Sequence, residues 1–483
     1  MYRSIFGGKM KLVNMGRVCR MGKRLYERYN ISPEKTQRLD IEELCVLATE
    51  EDDLQYQAVT QRYFSKEKAT CPTCGGKRTR TSKIVTRKLK DILPADDGHT
   101  CVIDLIFEQR YFRCRDCKNR VFPEEVLFAE PGCRYSNRLS DLLAEGTLIH
   151  SYSKVCAHYG VPASKTSVGV IMRRIFRQRW EQLAPLKTPK TLSVIIVNYL
   201  GGRYPIVMNV TEDAVYFIDI LKESSDDTYR EFFSQFDAKE VQRIFVDADE
   251  QLISAVSTLF PTAQIVMTEE CLMRCIQNAF CEIIDIEGKY TGIPHRFDVL
   301  TRRKSYLQAG EKRRVRRALE MRPRLRAAYN AYQELLIRMD APWTGGTILQ
   351  WIDQLPEYLT DETPPDETLE PLLEFDIVKM VLDLYGPLFD QYINLENKPS
   401  AHYASTVAGV IDAVVRMPSC IYEVLRARMT LNSKYETVTI DDKPYRIGIP
   451  VNTLIQSMNA ITDKIKGESE DYGYQSEDTA SWH

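Results

Sequence analysis

Apolar and polar positions change rhythm several times along this chain. From Leu192 to Leu200, Tyr204 to Val210 and Ala214 to Leu221 the residues are densely apolar, with turn signals at Gly201-Gly202 and Glu212-Asp213 between them. That pattern predicts an antiparallel meander of three strands. A helix is expected from about Asp226 to Phe236. Strand Arg243 to Asp247, helix Gln251 to Leu259, strand Gln264 to Met267 and helix Glu270 to Ile283 then alternate. Upstream, Cys101-Val-Ile-Asp-Leu-Ile-Phe107 alternates as a strand does, while Arg138 to Arg174 reads as two short helices joined by a turn. From about 288 to 380 the period is helical. Asp361-Glu-Thr-Pro-Pro-Asp-Glu367 is an acidic, proline-broken loop, and Gly467 to His483 is polar, acidic and expected to be disordered.

The order βββαβαβα is that of a ribonuclease-H-like mixed sheet, and 483 residues exceed one ordinary domain. The expected class is therefore multidomain α/β. An N-terminal segment of unassigned role covers 1–60, a ribbon 61–128 and a two-helix module 129–187. The mixed-sheet core covers 191–287 and 380–435, a helical insertion 288–379, and a C-terminal segment 436–483.

Four cysteines add chemistry to the N-terminal half. Cys71-Pro-Thr-Cys74 and Cys114-Arg-Asp-Cys117 have the spacing of two knuckles that present four thiolates to one tetrahedral Zn2+. Gly75-Gly76 frees the backbone to turn after the first pair, and the strand-like 109–114 leads into the second. A redox role is disfavoured because neither pair follows a βαβ pattern. His99 and Cys101 lie between the pairs, where four ligands already suffice. The other nine cysteines are irregularly spaced, which fits a reducing, cytoplasmic setting. Cys271 and Cys275, four apart on an expected helix, read as small buried hydrophobes.

Tyr152 to Thr166 has the helix, glycine turn at Gly160 and Ser/Thr-capped second helix of a helix-turn-helix. Lys165, Thr166 and Ser167 would open the recognition helix, where side chains reach base edges, and Arg173 and Arg174 would meet phosphates. His150 and His158 flank this module as structural or phosphate-facing residues. The net charge of -2 excludes a globally basic binder. Contacts to double-stranded DNA must come from local patches, such as Lys77 to Lys90 and the run from Arg302 to Arg326. That run is either a solvated helix face or a phosphate-tracking surface. No apolar run is long enough to span a bilayer, so no membrane partner is expected.

Zinc ribbon, helix-turn-helix and ribonuclease-H-like core with a helical insertion, in that order, resemble bacterial insertion-sequence transposases of the ISL-three type. The resemblance is carried by Arg110-Tyr-Phe-Arg-Cys114 with Val121-Phe-Pro123, by Val215-Tyr-Phe-Ile-Asp-Ile-Leu221, and by Asp247 to Val256 followed by Phe260 to Val266. It implies DNA transposition by three carboxylates holding two divalent ions, Mg2+ or Mn2+, and a homo-oligomer. Asp247 fits the second acid. Asn198 stands where the first aspartate is expected, and Ser405 where the glutamate is expected, so both positions are degenerate. The resemblance therefore implies either a transposase of impaired strand transfer or an inactive transposase-derived DNA-binding protein. Asp249, Asp219, Glu269, Glu270 and Glu396 are the carboxylates from which a relocated site would be built, and Asp247 alone also reads as a helix N-cap.

Overall fold

The computed structural model describes residues 39–48, 54–62, 69–94, 100–117, 121–126, 128–130, 133–289, 299–320, 322–340, 343–362, 368–395, 398 and 401–471. Glu396, His99 and the acidic tail from 472 onward lie outside them, as does most of the 1–60 segment. The chain divides into two compact units. The first comprises residues 1–183, 418–432 and 460–483, the second 184–417 and 433–459.

The first unit holds a five-stranded sheet. Strand β1 (Leu39–Ala48) pairs antiparallel with β2 (Leu54–Arg62), which runs parallel to β4 (Thr100–Cys114). The long β3 (Thr79–Pro94) pairs antiparallel with β4 from Thr79↔Cys114 to Pro94↔Thr100, and β5 (Val121–Pro123) closes the other side of β4's end. Residues of the 1–60 segment, whose pattern fixed no element, thus enter this sheet. Helices follow. Helix α1 (Asn137–Ile149) starts at Ser136, whose hydroxyl accepts from Leu139 N at 3.1 Å. Helix α2 (Tyr152–His158) starts at Ser151 in the same way, at 3.3 Å to Lys154 N. Both are N-caps. Gly160, at φ +59°, makes the turn before α3 (Lys165–Trp180). Leu139, Leu143, Val155, Ile171 and Ile175 bury one face of each helix in a common core.

The helix Tyr422–Leu431 completes that core through Val424 and Ala427. Its Arg428, 2% exposed, donates to Thr147 O and His150 O, at the end of α1 where helix carbonyls lack intrahelical partners. Residues 418–432 were expected with the mixed-sheet core. They belong instead to the first unit, drawn there by an apolar face and a buried guanidinium that need this partner.

The second unit is mixed α/β, built on β6 (Thr191–Tyr199), β7 (Gly202–Val210), β8 (Val215–Ile220), β9 (Arg243–Val246) and β10 (Gln264–Met267). The first three are antiparallel, and β9 and β10 run parallel to β6, giving the order β10-β9-β6-β7-β8. The β6–β7 turn is Leu200-Gly201, both with positive φ, a two-residue hairpin turn whose twist suits the strands. Strand β6 is buried at six of its nine positions, on both faces, as expected of a strand covered on both sides. On one face lie α4 (Asp226–Phe233) and α5 (Glu250–Leu259), packing Tyr229, Phe233, Leu252 and Val256 on Val194, Val207 and Val246.

Helix α6 (Glu269–Lys289) follows β10. The helical stretch then includes α7 (Ala309–Leu319), α8 (Pro323–Arg338), α9 (Gly345–Asp353), α10 (Leu355–Glu362) and α11 (Asp376–Ile393). Helix α12 (Ala401–Arg416) returns to the sheet, where the Tyr403 hydroxyl meets Ser193 Oγ at 2.7 Å and its ring lies 5.5 Å from Phe245. A hairpin not foreseen in the sequence, β11 (Glu436–Ile440) and β12 (Lys443–Pro450), adds to β8 through Ile449↔Phe217. Among the described residues no helix is long and apolar enough to cross a membrane.

Candidate functional site

The pairing of β3 with β4 explains the cysteine cluster. Because Thr79 lies opposite Cys114, the turn ahead of β3 meets the turn after β4. Cys71 Sγ lies 3.8 Å from Cys117 Sγ, and Cys74 Sγ 3.7 Å from Cys114 Sγ. All four sulfurs fall within 4.8 Å of one another. Tetrahedral zinc with bonds of about 2.3 Å sets its sulfurs about 3.8 Å apart, so this donor set fits one ion. Gly75, at φ +68°, gives the knuckle its turn, and a side chain on Gly76 would strike Asp116 Oδ2. Hydrogen bonds from the Thr73 and Cys74 backbones hold the Cys71 thiol down at about 6, so it ionises readily.

In the helical module, Thr166 is exposed at the start of α3 and Ser167 is half-buried; the side chain of Lys165 is outside those described. Arg173 is exposed and paired with Glu423 at 2.6 Å. Arg174 departs from the expectation of a phosphate contact. Its side chain is 10% exposed, it donates to Asp141 and to Asn137 O, and it lies 3.4 Å from Glu130. As the next residue it lies about 100° around the helix from the outward stripe that carries Arg173. Arg177 is exposed on that stripe, at i+4 from Arg173, and was not singled out in the sequence.

The second unit has a cavity of about 240 Å³ at the ends of β6 and β9. It brings together Asn198 and Asp247, two of the three positions at which the resemblance expects an acid. Asp247 follows β9, and the parallel register Val194↔Val246 sets it beside Ile196, whose N–H donates to Asp247 Oδ2 at 2.6 Å. The other oxygen accepts from Arg274 Nη2, on α6. Arg274 lines the same cavity and is only 20% exposed. Its Nη1 is buried without a hydrogen-bond partner among the described residues. Helix α12 contributes Ile411 and Val415 to the wall. Ser405 is exposed on that helix and is not among the lining residues.

The remaining carboxylates are engaged elsewhere. Asp249, rather than Asp247, is the N-cap: Leu252 N donates to it at 2.8 Å, and Arg203 and Ser224 hold its other oxygen, each at 2.8 Å. Asp219 is fully buried within β8 and accepts from Ile220 N. Glu269 and Glu270 open α6 outside the cavity lining, and burial raises the Glu269 carboxyl. Cys271 and Cys275 do line the cavity. They share a hydrogen bond that pushes Cys271 well up and draws Cys275 down. Arg274 was missed in the sequence; it lies between the buried Cys271 and the half-buried Cys275 on α6.

Residues 200–362 match the model of a protein family described as Transposase, that of the ISL-three type. The match is confined to these residues and is to the family that the sequence resembles. No curated protein matches the chain.

Proposed function

We propose that the chain is a DNA-binding protein of the insertion-sequence transposase family whose core no longer supports two-metal strand transfer. In this reading the cysteine cluster is a zinc ribbon, α2 and α3 are a helix-turn-helix that holds double-stranded DNA, and the strand order of the second unit is that of a ribonuclease-H-like domain. The observation that carries it is the state of Asp247. Both of its oxygens are taken, one by the Ile196 amide and one by Arg274, and its neighbour in the cavity is the amide of Asn198. A pair of divalent ions needs several hard, anionic oxygens at close range. One carboxylate neutralised by an arginine, beside a carboxamide, does not fit that pair, and no strand-transfer step is assigned to it.

What the core residues do is hold one another. Arg274 supplies the counter-charge to Asp247, and Asp247 in turn ties the end of β9 to β6 through the Ile196 amide. Zinc, when bound by Cys71, Cys74, Cys114 and Cys117, is structural, because four thiolates leave no open position for a substrate.

The test is strand cleavage by the purified protein on DNA from the flanks of its own gene, with magnesium or manganese and Asp247→Ala as the control. Binding without cleavage is expected. Cleavage by the native chain that disappears in Asp247→Ala would overturn the reading and establish a working metal site around that residue.

A further inference from the structure

The basic stretch of the helical insertion separates into two populations of cations. Arg302 pairs with Glu311 at 2.8 Å, Arg303 with Asp340 at 2.6 Å, Arg324 with Glu374 at 2.7 Å, and Arg326 with Glu362. Arg322 donates to Ala318 O. These arginines are occupied inside the fold. Lys304, Lys312 and Arg316 are exposed, form no ion pair among the described residues, and border one cavity of about 360 Å³. Lys304 comes from a short 3-10 turn, Lys304–Tyr306, while Lys312 and Arg316 are one turn apart on α7. Like charges at that spacing repel one another on the helix they share.

The cavity behind these cations is apolar, lined by Leu307, Val315 and Leu319, all of them buried. Tyr329 also lines it, is 3% exposed, and has a buried hydroxyl with no hydrogen-bond partner among the described residues. A buried hydroxyl left unpaired is costly, and such groups are uncommon unless a ligand or water supplies the partner. Glu320 is the one carboxylate on the wall. Arg326 and Asn330 are both turned to Glu362. The size falls within the range of small-molecule sites. Three unpaired cations at the rim, an apolar floor and a hydroxyl wanting a partner describe an anion attached to a less polar body.

We propose that this cavity binds a nucleotide unit, its phosphate between Lys304, Lys312 and Arg316 and its sugar or base over Leu307, Val315 and Leu319. The inference rests on the DNA-binding reading above for a strand as the source of that nucleotide. A free mononucleotide has the same chemistry.

The experiment uses the full chain with three probes: a fluorescein-labelled single-stranded oligodeoxynucleotide followed by anisotropy, and dTMP and inorganic phosphate followed by calorimetry. The variants are Lys304→Gln/Lys312→Gln/Arg316→Gln and Tyr329→Phe, the latter removing one oxygen. With a strand as ligand, the triple variant loses about tenfold or more in oligonucleotide affinity and its salt slope falls by about 0.7, as the loss of one single-strand phosphate contact requires. Tyr329→Phe then weakens binding with the slope unchanged. If instead dTMP binds the native chain, is lost in both variants and the oligonucleotide is unaffected, the source is a free mononucleotide. Inorganic phosphate binding as tightly as dTMP, and indifferent to Tyr329→Phe, would overturn the nucleotide assignment. So would both ligands binding both variants as they bind the native chain. An Arg173→Gln/Arg177→Gln variant separates the two readings. If it alone loses duplex DNA, and both cavity variants bind the oligonucleotide and dTMP as the native chain does, the cavity fails while the helix-turn-helix stands. If the native chain binds no DNA but loses dTMP in the cavity variants, the DNA-binding reading fails and the cavity stands.

Discussion

Asp247 and Arg274 form the pair on which the second unit's cavity depends, and each is expensive to leave alone. Arg274 is only 20% exposed, so an Asp247→Asn chain keeps a guanidinium in a poorly solvated place with no counter-charge. Breaking such a pair costs about 2–4 kcal/mol, the exposed fifth of the side chain lowering the figure. The expected result is an unfolding free energy of the second unit in urea lowered by that amount in Asp247→Asn, read as a lower midpoint at unchanged m. Arg274→Met added to it should recover much of the loss, and two additive losses would sink the pairing. Asp247 was legible in the sequence because it ends a short apolar strand beside a helix start. Its partner was not. Nothing in the local pattern says which of several arginines lies across β9, since that choice depends on how α6 packs, 27 residues downstream. Asp249 shows the same limit from the other side: an N-cap reading is right for this turn, but two residues along from Asp247.

At the scale of elements, helix starts and the β3–β4 hairpin were written in local signals, namely the two CxxC knuckles, Ser151 and Gly160. Joins between distant segments were not, because β2 is placed by β4, β12 by β8, and Tyr422–Leu431 by α1 and α3, all of them far along the chain. The join of β3 to α1 makes its own prediction. Asp91, on β3, is fully buried, and the N-cap hydroxyl of Ser136 donates to its Oδ1 at 2.5 Å. Burial outweighs that hydrogen bond and raises the carboxyl to about 6 from its ordinary 3.8. The folded form therefore holds this proton more tightly than the unfolded one. Its stabilising effect is complete below about pH 4 and is lost as pH rises through about 6, a change of about 3 kcal/mol. Hydrogen exchange of the β3 and α1 amides should accordingly slow from pH 7 to pH 5 once the intrinsic chemical dependence is divided out. Asp91→Asn should flatten that profile; an unchanged step in the variant would assign it to another group.

For the molecule as a whole, charge decides what contact with DNA is open to it. With 65 Lys and Arg against 67 Asp and Glu, long-range attraction to a polyanion is weak and binding must come from local patches. Many arginines in those patches are already spent: Arg174 on Asp141, Arg324 on Glu374, Arg326 on Glu362. Those left exposed, Arg177 among them, set how many phosphates the protein can neutralise. Affinity for duplex DNA should fall log-linearly with salt, with a slope of about −0.9 per phosphate contacted. A slope near zero would mean that the exposed cations do not follow a backbone. Zinc enters the same measurement through the fold of the ribbon. Cys74→Ser or a chelator should release one ion and open the end of the β3–β4 hairpin, since the knuckles have few buried side chains apart from the thiols. If the ribbon contacts DNA, the metal-free chain binds more weakly and with a shallower salt slope. If it serves only its own unit, zinc is lost while the slope stays the same. Unchanged zinc content in Cys74→Ser would remove that residue from the ligand set.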